Sequence, residues 1–338
     1  METGAEDRIL LAHGGGGILM RELISFIVGK LGGGDRAPLE DSATVAVERC
    51  RIAFTTDSYV VSPLFFPGGD IGRLAVCGTV NDLAVCGAVP MWLSLAFIIE
   101  EGLTFEIFGK VLDSVASAAR EASVAVVTGD TKVVERGHAD RLFVNTSGVG
   151  VIPEGVSVSS AGAKPGDAVL VNGSIGEHGL AIASAREGIE FGSSLKSDTA
   201  PLSNLIVPLL AEVHGVRAMR DATRGGLAAI LNEIAGDSGV AMRLEEEAIP
   251  ISEPVRKGCE LMGYDPLNLA NEGKFVLIVD PGDADRALQF MRAHPLGAGA
   301  ARIGTVSEGP IGCVSVETAF GGRRVVDVPY GDLLPRIC

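Results

Sequence analysis

The chain stops on a cysteine, Cys338, and four aspartates stand far upstream of it beside apolar runs: Asp41, Asp57, Asp82 and Asp130. A thiol with no side chain after it can enter a pocket as a tethered reagent. Pro329, Gly331 and Pro335, within Val328 to Cys338, argue against a continuous helix restraining it. The plain alternative is an incidental cysteine on a frayed end. Prenylation does not fit, because its cysteine stands four residues from the end. The aspartates read as marking places where apolar elements meet loops, and carboxylates so placed can converge on a hard cation. Magnesium takes a few carboxylate oxygens and completes its octahedron with phosphate oxygens and water. Each aspartate alone also suits a cap or a turn. Four in one presumed domain, with Lys132 two places after Asp130, suggest a metal and nucleotide site.

Glycine-bearing turns supply the second half of such a site. His13 is followed by Gly14, Gly15, Gly16 and Gly17, and the run opens onto an amphipathic pattern from Ile18 to Val28. Free backbone N–H groups at a helix start favour anions. The run matches neither the P-loop nor the dinucleotide pattern, so a hinge accounts for it equally well. Asp221-Ala-Thr-Arg-Gly-Gly-Leu227 reads either as an N-capped helix or as a ligand loop in which Gly225 and Gly226 leave backbone open to phosphate. Asn271-Glu272-Gly273-Lys274 stands just before an apolar strand, with Glu272 either a general base or part of a solvated turn.

The elements that must hold these residues alternate along the chain. Strands are expected at Ala43 to Val47, Arg51 to Thr55, Leu93 to Ile99, Val124 to Thr128 and Leu142 to Val151, with Gly129-Asp130-Thr131-Lys132 ending a buried strand. Helices are expected near Asp70 to Gly87 and Thr104 to Ala122. Asn81 and Asp82 interrupt the first, and so polar a pair in an apolar run must have partners. A Gly/Ser/Pro-containing boundary follows at Pro153 to Pro165. Beyond it, strands are expected at 167 to 171, 274 to 279, 301 to 306 and 312 to 316, and helices at 177 to 187, 202 to 214, 225 to 235, 253 to 262 and 283 to 293. Such mixing in both halves predicts two α/β or α+β domains. The expected division is a glycine-rich segment and helix over 1–40, a first domain over 41–152, a second over 153–327 and a mobile tail over 328–338.

Composition narrows the class of activity. A net charge of −15 opposes a phosphate backbone, so nucleic acid is not an expected partner. At 338 residues and 47% hydrophobic, the chain can bury two cores, and its 45 glycines imply many tight turns and close approaches. The six cysteines show no C-x-x-C spacing, which favours free thiols in a reducing cytoplasm over structural zinc or a disulfide framework. The acidic N-terminus has no apolar core of its own, and no uncharged run reaches the ~18–20 residues of a membrane span.

The ordered set of His13 with its glycines, Glu40-Asp41-Ser-Ala, Thr56-Asp57-Ser-Tyr-Val, Val80-Asn-Asp82-Leu-Ala, Thr128-Gly-Asp130-Thr-Lys132, Asp221-Ala-Thr-Arg-Gly-Gly and Asn271-Glu-Gly-Lys resembles the aminoimidazole-ribonucleotide-synthetase-like superfamily. The Pro335-Arg-Ile-Cys338 ending narrows the likeness to the HypE family of hydrogenase maturation factors. The superfamily often shows two aspartates where this chain has Glu40-Asp41, so only Asp41 takes the metal role. The resemblance implies a two-domain α+β and α/β fold with an N-terminal sheet forming a homodimer interface and a mixed-sheet C-terminal domain. It places ATP contacts on His13, Gly14, Gly15, Gly16, Thr131, Asp221, Arg224 and Gly225, magnesium on Asp41, Asp57, Asp82 and Asp130, and catalysis on Cys338, Lys132 and Glu272. It further implies a HypF-like carbamoyltransferase that loads Cys338, ATP-dependent dehydration of the thiocarboxamide to a thiocyanate, and cyanide delivery to iron on a HypC–HypD-like scaffold for a [NiFe]-hydrogenase. Within that reaction Lys132 would stabilise the transferring phosphoryl group, and Glu272, or His13 in its place, would take the nitrogen's proton. An ordinary thiol of pKa about 8.5 is mostly protonated near neutrality, so the partner must activate Cys338 for loading. Ten extended tail residues span roughly 33 Å, enough to swing between partner and cleft. Two rivals remain open: a superfamily kinase or synthetase acting on a free small molecule, which would not need Cys338, and a non-catalytic maturation scaffold.

Overall fold

The computed structural model describes residues 17–30, 40, 42–47, 50–189, 195–328, 334 and 336–338. The readings placed on His13, Gly14, Gly15, Gly16 and Asp41 lie outside the described residues. The first sheet runs in the order β1-β2-β7-β5-β6, built from β1 (Ala43–Val47), β2 (Cys50–Tyr59), β5 (Val89–Glu100), β6 (Ala125–Val134) and β7 (Leu142–Ile152). A two-stranded ribbon, β3 (Phe65–Phe66) with β4 (Gly69–Asp70), leads into α2 (Ile71–Val85), while α1 (Ile18–Lys30) precedes the sheet and α3 (Phe105–Glu121) follows β5. β5 and β6 are parallel and α3 is their crossover. The Asp70 carboxylate caps α2 by accepting from the amides of Gly72 and Arg73, at 2.7 and 3.1 Å.

One face of this sheet is covered and the other is open. Along β2, Ala53, Thr55, Asp57 and Tyr59 face α2, and Phe54, Thr56 and Ser58 point outward, as strand alternation requires. α2 is buried almost all round because it lies between the sheet and the second domain, touching α5 and β9. The open face carries exposed Val45, Val47, Phe54, Trp92 and Ile98.

The second sheet has the order β14-β13-β10-β12-β8-β11-β9. Its strands are β8 (Ala168–Val171), β9 (Val216–Asp221), β10 (Ala241–Glu245), β11 (Phe275–Val279), β12 (Ala301–Ser307), β13 (Val314–Glu317) and β14 (Arg323–Val325). The helices are α4 (Glu177–Glu187), α5 (Ser203–Glu212), α6 (Gly226–Asp237), α7 (Glu253–Met262) and α8 (Ala284–Arg292). Alternate residues of β8 and β11 enter two separate cores, one with α6 and one with α5 and α8, so both strands are apolar throughout.

Two sequence expectations need correction. Asp130 does not end a buried strand: β6 runs on through Gly129-Asp130-Thr131-Lys132 to Val134 as an exposed edge strand. Asp57 likewise lies within β2 rather than after a strand, whereas Asp82 stands inside α2, the helix it was expected to interrupt. Hydrophobic pattern marks apolar runs, and it cannot see polar residues that a ladder carries past them. For the same reason β9, β10 and β14 were not anticipated, since charged residues interrupt Val216-Arg-Ala-Met-Arg-Asp221, Ala241-Met-Arg-Leu-Glu245 and Arg323-Arg-Val325.

Candidate active site

A cavity of about 270 Å³ opens between the two domains, lined by Asp57 and Asp82 from the first, Asp221, Thr223 and Arg224 from the second, and Arg21 from α1. Arg21 reaches it by pairing with Glu233 of α6 at 3.2 Å, and Arg220 meets the same carboxylate at 3.2 Å.

Asp57 and Asp82 are in side-chain contact. The Thr79 hydroxyl donates to Asp57 Oδ2 at 2.9 Å and the Thr55 hydroxyl to Asp82 Oδ2 at 2.8 Å. Burial pushes the Asp57 carboxyl above its usual value, against the opposing pull of Thr79, Arg224, Asp82 and Tyr59. Burial, with Asp57 and Asp82 adding to it, also pushes the Tyr59 phenol well above its ordinary range, so it stays a proton donor. No set of three or more acidic, histidine or cysteine ligands occurs among the described residues. A carboxylate pair nevertheless suits magnesium, which commonly takes one or two carboxylates and fills its other positions with phosphate and water.

Asp221 ends β9 and Arg224 stands on the rim of the cavity. The turn that follows Arg224 requires glycine. Gly225 and Gly226 have φ of +79° and +60°, and a Cβ on Gly226 would sit 2.5 Å from the carbonyls of Leu267 and Leu269. The N-cap position of α6 is Gly225 itself rather than Asp221 or Thr223, with no side-chain cap hydrogen bond, and the Gly226 backbone is packed against those two carbonyls. The negative charge at Cys338 holds the Arg224 guanidinium firmly protonated; partial burial opposes it, while Glu272, Asp57 and Tyr59 add to it.

Glu272 is 2% exposed, and its Oε1 makes no hydrogen bond. Burial, then Asp221 and Asp198, push its carboxyl well above the ordinary carboxylate value, with Arg224 pulling the other way. Its backbone is clamped from two sides. The Asn81 amide of α2 donates to the carbonyls of Glu272 and Ala200 at 3.3 and 3.1 Å and accepts from Leu202 N at 2.7 Å. The Asp198 carboxylate accepts from the amides of Glu272 and Gly273 at 3.0 and 3.1 Å and from Lys274 Nζ at 3.0 Å. Burial alone would raise Asp198, but the Lys274 charge and these amides hold it below its usual value.

The described part of the tail is docked against this cleft. Val60 N donates to Cys338 O at 3.0 Å and Ser62 N to Arg336 O at 3.3 Å, so the end of the tail lies against the segment that follows β2. Ile337 is 4% exposed in the core under α2, and Cys338 packs against that core. The Ile337 carbonyl accepts from His178 Nε2 at 2.9 Å. Arg336 Nε donates to Val60 O at 2.9 Å and its guanidinium pairs with Asp140. Arg186 donates to the carbonyls of Ser62 and Arg336.

The structure therefore brings together Asp57, Asp82, Asp221, Arg224, Glu272 and Cys338, and leaves Asp130, Thr131 and Lys132 apart. Asp130 pairs in register with Ala96, on the outward face with Trp92 and Ile98, three strands across from β2. At about 4.8 Å per strand this is roughly 14 Å from Asp57 and on the opposite face. Lys132 contacts Asp130 there at 3.2 Å, with both side chains in solvent. Sequence reasoning missed His178, Arg186, Tyr59 and Asp198. His178 and Arg186 sit in an ordinary helical pattern, and only Asp57-Ser-Tyr59, beside a recognised aspartate, carried a local signal.

The fold and cleft define a class. Residues 39–152 match the model of the AIR synthase related protein N-terminal domain, and residues 164–317 match that of its C-terminal domain. The chain is a two-domain member of that class. It is 52% identical to the carbamoyl dehydratase HypE of Rhizobium leguminosarum, over 99% of this chain and 96% of that one. With the Escherichia coli carbamoyl dehydratase HypE it shares 46% identity, over 98% and 100%. Among solved structures it superposes on a HypE in complex with ATP with a TM-score of 0.83 at 46% identity, covering 98% of this chain and all of that one. With the HypE of a HypE–HypF complex the TM-score is 0.86 at 47% identity, covering 93% and 100%. This chain belongs to the carbamoyl dehydratase HypE family of hydrogenase maturation proteins.

Proposed function

We propose that this protein uses ATP to dehydrate an S-carbamoyl group carried on its own Cys338 to a thiocyanate, the source of a cyanide ligand for the iron of a [NiFe]-hydrogenase. The observation that carries the reading is the docked tail, which sets Cys338 beside Arg224 and packs it against the core next to the Asp57, Asp82 and Glu272 cluster. In the reaction the carbonyl oxygen of S–C(=O)–NH2 takes the γ-phosphoryl group of ATP and leaves as part of phosphate. The nitrogen loses both protons as the C≡N bond forms, one to a protein base and the other carried off with the departing phosphate as hydrogen phosphate. Glu272 takes one of them: a buried carboxylate with a raised proton affinity and an unpaired oxygen is a stronger base than a solvated one. Arg224 faces the negative charge that develops on the departing oxygen. Asp57 and Asp82 would hold magnesium, which supplies charge neutralisation on the phosphates.

A HypF-like protein loads the thiol, as the HypE–HypF complex of a relative suggests. The open apolar face of the first sheet is the proposed homodimer interface, and Asp130, Thr131 and Lys132 can serve a nucleotide only from that face, through a second copy. The test is intact-mass spectrometry after incubation with ATP, carbamoyl phosphate and a HypF-like protein. Wild type is expected to gain a carbamoyl group and then lose one water, and Cys338→Ala to gain nothing. A carbamoyl adduct on Cys338→Ala overturns the assignment.

A further inference from the structure

His178 is fully buried, and both of its ring nitrogens are used. Nε2 meets the Ile337 carbonyl, which can only accept, so the proton is on Nε2. Nδ1 therefore accepts from the Ser197 hydroxyl at 2.8 Å, and Ser197 Oγ in turn accepts from Thr199 N at 3.2 Å and contacts the Thr199 hydroxyl at 2.6 Å. The next residue along, Asp198, is the one whose carboxylate receives the amides of Glu272 and Gly273. Thr199 closes the segment by accepting Arg73 Nε on its carbonyl at 3.1 Å.

This three-residue stretch has little freedom. A Cβ on Gly68 would lie 2.7 Å from Ser197 O, and one on Gly273 would lie 1.9 Å from Asp198 O, so backbone presses it from both sides. Ser197 N is also tied to Pro67 O at 2.7 Å. A change in the grip on Ile337 is thus passed to the backbone of Glu272 with little slack.

We propose that Ser197, Asp198 and Thr199 form a positioning link that ties docking of the Cys338 tail, through His178, to the placement of Glu272. The inference rests on the dehydratase reading for its catalytic half only. Loss of the Ser197 hydroxyl leaves His178 free to turn or change tautomer, and the tail loses its anchor at Ile337. Asp198 then holds Glu272 in a site that no longer receives the thiol.

The experiment is site-resolved alkylation of the full-length protein with iodoacetamide, read by peptide mass mapping, on wild type, Ser197→Ala, His178→Leu and His178→Gln. Ser197→Ala and His178→Leu are expected to speed alkylation of Cys338 roughly tenfold, equivalent to about 1.4 kcal/mol of docking free energy. His178→Gln keeps an N–H for Ile337 and is expected to stay nearer wild type. Buried Cys77 and Cys259, whose thiols burial pushes up to about 12 and about 11, serve as internal controls and should remain unlabelled. Cys338 labelling at the wild-type rate in Ser197→Ala overturns the link, as does parallel labelling of Cys77 and Cys259, which reports general loosening. A second arm measures single-turnover loss of water from carbamoylated protein with ATP in excess. It should slow in Ser197→Ala while ATP affinity holds, and an unchanged rate overturns the coupling to Glu272. Absence of water loss in wild type would instead remove the dehydratase reading and leave the alkylation result standing.

Discussion

In the proposed reaction the carboxyl of Glu272 trades stability for chemistry. It is buried, has an unpaired oxygen, and faces Asp221, Asp198 and Asp57 with Arg224 as the opposing charge. Its folded-state proton affinity is raised, so the protonated form adds stability that is full below the ordinary carboxyl value and is lost as pH rises through the raised one. Gln mimics the protonated form at every pH. Glu272→Gln is therefore expected to melt at or above the wild-type temperature at neutral and alkaline pH, while dehydration falls by about a hundredfold or more. Calorimetry across pH with single-turnover mass spectrometry checks both halves; wild-type turnover in this variant would show that another group takes the proton. The sequence marked Glu272 by its place before an apolar strand, but its burial and its companions Asp198 and His178 come from segments far apart in the chain.

At the scale of elements, α2 joins the two domains. Its Asp82 faces the cavity, and Asn81, 1% exposed, turns to the second domain. Asn81 holds Leu202 N and the carbonyls of Ala200 and Glu272, so α5 and the Glu272 turn are both fixed to the same helix. Asn81→Ala removes the partner of Leu202 N and Ala200 O, while the Glu272 carbonyl keeps Ala200 N at 3.3 Å, and is expected to cost about 2–4 kcal/mol in chemical denaturation. Turnover should fall as well, because Glu272 loses one of its two clamps. A loss within about 0.5 kcal/mol would show that water or relaxation satisfies those groups. The polar pair within an apolar helix was legible from sequence as a demand for partners. Which partners it finds is decided by the docking of the second domain.

For the molecule as a whole, the open sheet face is the feature one chain leaves unfinished. Val45, Phe54, Trp92 and Ile98 are each more than 40% exposed, and they lie on the same face as Asp130 and Lys132. A contiguous apolar surface of this kind marks association. Trp92→Glu is expected to shift sedimentation from dimer to monomer while the monomer keeps its fold, and to lower ATP turnover if Asp130 and Lys132 act across the interface. An unchanged sedimentation coefficient removes the proposed interface.

By itself the sequence determined most of the element types and nominated residues whose chemistry suits such a site. The regular apolar periods gave the ranges of α4 and α7 to the residue, and the motifs selected Asp57, Asp82, Asp221, Arg224 and Glu272. Local pattern sufficed there because periodicity and turn chemistry act over a few residues. Only the tertiary structure decided that Asp130 and Lys132 face away from the other aspartates, since that depends on strand order and register parity. It alone also placed the tail against the segment that follows β2, with His178 and Arg186 holding it, because those contacts join residues more than a hundred positions apart.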